Sequence, residues 1–242
     1  QAGKNAIVEK PFTATAAQAI KLANTAREKN LFVFEAITVS YLPHTKKVKE
    51  LLPRIGDISL VQCNYSQYSS RYDAVLRGEV PNIFNPAYAG GCLMDINFYN
   101  VYLNAALFGK PQKAVYYPNR YGELADTSGV MLMQYENFVS TNAGAKDTWG
   151  VNFFQIEGEQ GYIYIQDGAN GLAQVRVVTK EDDRTYNEQE NPDRWYYEVR
   201  ELTRLMLDED YDSVYSRLDI TLTVTQVIES ARQDAGILFP GD

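Results

Sequence analysis

An α/β fold of the α+β kind is predicted for this 242-residue chain by three features. Residues 5–36 read as strand, helix, strand. From Ile58 onward, seven short β-rich runs are separated by turn residues. Residues 90–109 and 191–236 carry helical signals between and after those runs. Together they describe a short parallel βαβ unit, then an open, mostly antiparallel sheet with helices covering one face.

The first strand is the apolar run Ala6-Ile7-Val8, which stops at Glu9-Lys10-Pro11. Thr15 followed by Gln18 is a capping-box pattern. Ala19, Leu22, Ala23 and Ala26 then share one helical face, and Lys29-Asn30 suits the helix end. "LFVFEAI" is a continuous apolar run, expected for a strand buried on both faces. Val48, Leu51, Leu52 and Ile55 lie on one face of a second helix that Pro53 cuts short.

"ISLVQCNYSQYSS", "KAVYYPNR", "GVMLMQYE", "NFVSTNAG", "GVNFFQIEG", "GYIYIQDG" and "AQVRVVTK" should form a sheet of about six strands. Its uncovered face should carry many of the chain's 18 tyrosines, making it a candidate subunit interface. "AGGCLMDINFYNVYLNAALFG" interrupts the strands and reads as a helix between Gly90-Gly91 and Gly109. "KEDDRTYNEQENP" reads as a polar loop. Asn191-Pro192 then starts a helix with Trp195, Val199, Leu202 and Met206 on one face. The last helix carries Val224, Val227, Ile228 and Ala231 and stops at Gly236, although "TLTVTQVI" within it is β-like.

Bulk properties narrow the function classes. A formal net charge of −8 argues against nucleic acid as a direct partner. No apolar run approaches the ~18–20 residues of a membrane span. Cys63 and Cys92 form no CxxC pair and read as buried thiols of a reducing, cytoplasmic protein. One histidine, His44, cannot build a multi-histidine metal site, so no metal is expected. The chain does not begin with Met, and "QAGKNAIV" lacks the apolar core of a signal peptide, so it reads as the middle of something longer.

Two constellations could carry chemistry. Lys10 ends a parallel strand, where ligands of α/β sheets bind, and a cation there can polarise an oxygen; it can equally be a surface lysine before a turn proline. Asp95 and Tyr99, at i and i+4, share a helix face as acceptor and proton donor, but among 18 tyrosines any single one is structural by default.

Taken together with their flanks, "GKNAIVEKPFTATAAQAIKLANTAREKN", "FEAITVSYLP", "AGGCLMDINFY" followed by "LFGKP", and "IEGEQGYIYI" resemble the Gfo/Idh/MocA oxidoreductases over nearly the whole chain. Tyr99, rather than a histidine, resembles the branch of dihydrodiol dehydrogenases and glucose–fructose oxidoreductase. The resemblance implies a Rossmann domain for NAD or NADP, of which residues 1–40 hold the last two strands and a helix. Residues 41–242 would then be the C-terminal substrate and oligomerisation domain. It implies Lys10, Asp95 and Tyr99 as catalytic residues and Glu9, Lys10 and Pro11 as cofactor contacts. It also implies hydride transfer between NAD(P) and a small-molecule sugar, polyol or dihydrodiol-like substrate, and a homodimer or larger oligomer paired through the open sheet face.

Lys10 beside Tyr99 is expected to favour the tyrosinate and lower the phenol pKa from about 10. Cys92, Asn97, Thr38 and Ser40 depart from the family pattern and bear on substrate choice. No GxGxxG occurs in the chain, so by itself it is expected to bind the cofactor poorly and to be an inactive remnant. The alternative is a non-catalytic ligand-sensing or dimerisation protein on the same fold.

Overall fold

The computed structural model describes residues 2–242. β1 (Ala6–Glu9) pairs in parallel with β2 (Val33–Ala36), and α1 (Ala16–Glu28) connects them. The Thr15–Gln18 capping box is present. Ala19, Ala23 and Ala26 are buried, but Leu22 is exposed at 41%. The alanines let α1 approach α7 (Tyr211–Asp234), with Phe12, Val33 and Leu218 completing that cluster. A bulky Leu22 has no place in so close a contact and faces outward.

α2 (Pro43–Leu51) passes into a 3-10 turn, Leu52–Ile55, at Pro53. The lone histidine is structural. Buried His44 accepts from the Glu188 N–H at Nε2 (2.8 Å), which leaves Nδ1 to donate to the Leu172 carbonyl at 2.5 Å.

The main sheet has eight strands rather than six, in the order β10-β9-β8-β7-β3-β6-β5-β4. They are β3 (Ile58–Ser66), β4 (Lys113–Arg120), β5 (Asp126–Gln134), β6 (Val139–Ala145), β7 (Phe153–Gly158), β8 (Gly161–Gln166), β9 (Val175–Thr179) and β10 (Asp183–Tyr186). Only β3 and β6 pair in parallel. β10 lies inside the stretch read as a polar loop: it pairs with β9, Arg176 and Asp183 form an ion pair at 2.5 Å beside that ladder, and Tyr186 packs against the core.

The inner sheet face presents Val61, Met131, Met133, Phe154, Ile156, Ile163, Ile165, Val175 and Val177 to a helical layer made of α2, the Leu52–Ile55 turn, α4 (Phe98–Phe108) and α7. The outer face is less tyrosine-rich than expected. It shows Tyr117, Tyr162 and Tyr164 with Val130, Leu132 and Val178, around a polar centre where Gln62 and Gln155 both donate to Glu157. Tyr65 and Tyr116 point inward and are buried.

Two short helices, α3 (Tyr72–Leu76) and α5 (Gly168–Gly171), sit on connections. α6 (Arg194–Leu207) buries Tyr197, Glu198, Leu202 and Leu205; of the expected stripe Leu202 is buried, but Trp195 and Val199 are more than 60% exposed and Met206 is also exposed. Its docking partners Phe32 and Phe34 meet Leu202 and Leu205, which selects a face rotated from the most apolar one. α7 runs 24 residues and includes the β-like "TLTVTQVI", because Thr221, Val224, Val227 and Ile228 all pack inward and burial overrides propensity. Among the described residues no helix is long and apolar enough to cross a membrane.

Candidate active site

Lys10 reaches its position because β1 ends at Glu9 and the chain turns at Pro11 through a cis Lys10–Pro11 bond. The turn is pinned from below. The Phe12 N–H donates to Glu35 Oε1 at 2.9 Å, and Thr221 Oγ1 donates to Glu35 Oε2 at 2.8 Å. Glu35 lies on β2 and is 3% exposed. Burial pushes its carboxyl up to about 7, against the opposing effect of these bonds and of the Lys10 charge.

Asp95 sits on a π-helical turn, Leu93–Asn97, that leads into α4. A buried carboxylate, Asp126 of β5, fastens the start of this turn: Asp126 Oδ2 accepts from the Leu93 N–H at 2.6 Å and from Tyr116 Oη at 2.5 Å. Burial raises the Asp126 carboxyl to about 6. The double glycine before the turn now has a cause. Gly91 has φ +131°, and a Cβ there would run into the Asp126 carboxylate, while one on Gly90 would meet the Asn82 and Ile83 backbone.

Lys10, Asp95 and Tyr99 come together as expected. Lys10 Nζ donates to the Asp95 carbonyl at 2.7 Å and to Asp95 Oδ1 at 2.9 Å, and lies 4.9 Å from the centre of the Tyr99 ring. The expected effect on the phenol is reversed: Tyr99 is pushed up to about 12. Burial is the main cause and the Asp95 carboxylate adds to it, while Arg194 partly opposes. Lys10 spends its charge on Asp95 and packs on the ring face rather than at the hydroxyl, so it does not offset them. Tyr99 is therefore a phenol at neutral pH, suited to donating a proton.

Glu9 is less central than its neighbour. Among the described residues its carboxylate accepts from the adjacent Lys10 N–H at 3.2 Å, in an exposed position.

Four further side chains, Lys146, Arg194, Asn170 and Tyr65, shape the site without a signal in the sequence. Lys146, just after β6, donates to Asp95 Oδ2. Arg194, which opens α6, donates to the Asn170 carbonyl and side chain, and Asn170 in turn donates to Tyr65 Oη at 2.7 Å. Tyr65 meets the Tyr99 ring edge-on, with centroids 5.9 Å apart. Each is a single polar residue at the end of its element, which no spacing rule singles out.

A cavity of about 440 Å³ opens beside the Lys10–Asp95 pair. Lys10, Pro11, Thr13, Asn82, Gly91 and Asp95 line it, and Tyr99 lies behind the Lys10–Asp95 pair rather than in the lining. Among the described residues no group of three or more His, Cys, Asp or Glu side chains is placed to hold a metal ion.

Residues 45–164 match the model of the GFO/IDH/MocA C-terminal domain. The scyllo-inositol 2-dehydrogenase (NADP(+)) IolU of Bacillus subtilis is 31% identical over 245 residues, covering 99% of this chain and 73% of its own. The trans-1,2-dihydrobenzene-1,2-diol dehydrogenase of Sus scrofa is 24% identical, covering 100% of this chain and 73% of its own. Among solved structures, KijD10, a 3-ketoreductase from Actinomadura kijaniata in complex with NADP and TDP-benzene, superposes with a TM-score of 0.78 at 18% identity, over 96% of this chain and 71% of its own. The identity to IolU extends along almost all of the chain, the two strands and helix at its front included, and the chain belongs to the Gfo/Idh/MocA family of NAD(P)-dependent oxidoreductases.

Proposed function

We propose that this chain handles the substrate and the nicotinamide end of the cofactor in an NADP-dependent dehydrogenase or reductase of small sugars, polyols or dihydrodiols. Lys10, Asp95 and Tyr99 are its catalytic residues, and Glu9, Lys10 and Pro11 contact the cofactor. Residues 1–40 belong to the nucleotide-binding part and residues 41–242 to the substrate part. The carrying observation is the meeting of three chain segments at one point: Lys10 Nζ, the Asp95 carboxylate and the face of the Tyr99 ring. NADP is favoured over NAD by the names of IolU and of the KijD10 complex.

The residues present fit a nicotinamide ring with a small polyol. The cavity holds about 440 Å³ and is lined by both Lys10 and Asp95, so the ammonium and carboxylate border the same space. When bound, the nicotinamide supplies or accepts a hydride. Lys10 orients the substrate oxygen and stabilises negative charge as it develops there. Tyr99, a phenol near 12, gives a proton to that oxygen in the direction of carbonyl reduction; an alkoxide is far more basic, so the transfer runs downhill. Asp95 holds Lys10 over the ring and keeps it aimed at the cavity.

A homodimer through the outer sheet face is part of the same reading, supported by the apolar rim of Tyr117, Val130, Leu132, Tyr162 and Tyr164. The buried free thiols Cys63 and Cys92 suit a reducing, cytoplasmic setting.

The test is steady-state turnover of the full-length protein with NADP and a panel of inositols, sugars and dihydrodiols. Lys10→Met and Tyr99→Phe should each lower kcat by roughly 10²–10⁴-fold. Rates equal to the unsubstituted enzyme would remove both residues from the chemistry. Tight binding of a panel member with no nicotinamide absorbance change would favour a ligand sensor.

A further inference from the structure

Asp95 has two cationic partners. Lys10 takes Oδ1 from the side of the cavity, and Lys146 takes Oδ2 from behind. Lys146 is 6% exposed and does not line the cavity. Its position is rigid: its N–H donates to the Thr127 carbonyl at 2.8 Å, its carbonyl accepts from the Ser69 N–H at 2.8 Å, and its ammonium lies 5.8 Å from the centre of the Phe84 ring. One carboxylate is thus shared between two ammonium groups, and the cluster carries a net charge of +1. One of the two carboxylate oxygens of Asp95 is engaged by a cation that does not line the cavity.

We propose that Lys146 is a positioning residue which, by occupying Asp95 Oδ2, fixes the carboxylate and leaves the Lys10 ammonium partly free to face the cavity. The proposal rests on the catalytic reading of Lys10 and Asp95 above. Without Lys146, a semi-buried carboxylate faces a single cation and draws it inward, away from the substrate oxygen. Burial alone would raise the Asp95 carboxyl; Lys10 and Lys146 together hold it below the ordinary aspartate value. The other titratable groups facing Asp95 are Tyr99 of α4, Tyr65 of β3 and the buried Cys92 thiol, each uncharged at neutral pH and each raised.

The experiment is a carbon-detected NMR titration of the Asp95 carboxyl in this chain, in the unsubstituted protein and in Lys146→Met and Lys146→Arg. The Met variant should raise the Asp95 midpoint by about one pH unit, a tenfold change in its protonation constant, and Arg should restore it to within a few tenths. An unchanged midpoint in Lys146→Met, or an equal rise in Lys146→Arg, overturns the proposal. If Lys146→Met does not fold, the unsubstituted chain still decides. Asp95 must titrate below the ordinary range, and the Lys146 Nζ resonance must move with it; failure of either overturns the proposal.

The full-length enzyme separates this inference from the catalytic reading. The acid limb of kcat against pH should move up with the Asp95 midpoint in Lys146→Met and return in Lys146→Arg. A midpoint that moves while the rate profile stays still supports the grip of Lys146 on Asp95 and overturns the assignment of Asp95 to catalysis.

Discussion

Replacing Glu35 by glutamine tests how the active-site turn is held. Glu35 is 3% exposed and fastens the Phe12 N–H and the Thr221 hydroxyl, so it ties the turn after Lys10 to α7. Burial raises its carboxyl from 4.5 to about 7. In the unfolded chain it titrates near its ordinary value, so between those two pH values the folded state binds the extra proton. Its favourable contribution is fully present below pH ~4.5 and is lost as pH rises through about 7. At about 1.4 kcal/mol per unit, the loss amounts to about 3 kcal/mol. A glutamine at this position would keep the shape of the side chain and one acceptor for Phe12, and the Thr221 hydroxyl can rotate to accept from the new amide. The variant therefore keeps the fold and loses the titration.

Stability of both proteins is measured by urea unfolding from pH 4.5 to 8.5. The unsubstituted chain should lose about 3 kcal/mol relative to Glu35→Gln across that range, a relative shift in Tm of roughly 6–12 °C for a chain of this size. Asp126 and Glu198 also have raised carboxyls, at about 6 and about 7, but they titrate in both proteins and cancel in the difference. Parallel stability curves would refute the argument, because they would mean that Glu35 ionises as easily in the fold as out of it.

Gly91→Ala places a side chain at φ +131° and against the Asp126 carboxylate, so it should cost about 2 kcal/mol. A melting curve should show this as a fall of roughly 4–8 °C, and an unchanged Tm would disprove the packing reason for the double glycine. Leu132→Arg puts a charge on the outer sheet face between Val115 and Thr141. Sedimentation at micromolar concentration should show a dimer for the unsubstituted chain and a monomer for this variant; a monomer for both would remove the outer face as an interface.

Residues close in sequence made much of this protein legible. The Thr15–Gln18 cap, the parallel pairing of β1 with β2 and the buried fate of both thiols all depend on local pattern or composition. The family resemblance went further and joined Lys10 to Asp95 and Tyr99 across 85 residues, a pairing that no spacing rule could supply. What local pattern could not decide was the set of groups that packing brings alongside. The Tyr99 phenol is raised rather than lowered because packing buries it and sets Asp95 beside it, while Lys10 pairs with Asp95 instead of the hydroxyl. Lys146, Arg194 and Asp126 are isolated polar residues whose roles exist only once β5, β6 and α6 converge on the π turn. The faces of α1 and α6 were decided the same way, by which neighbour each helix meets: α7 packs on the alanines of α1, and Phe32 and Phe34 meet Leu202 and Leu205 while Trp195 and Val199 stay exposed. A sequence carries the hydrophobic period of each helix, but the direction in which that period points, and the charge each site group feels, are properties of the packed whole.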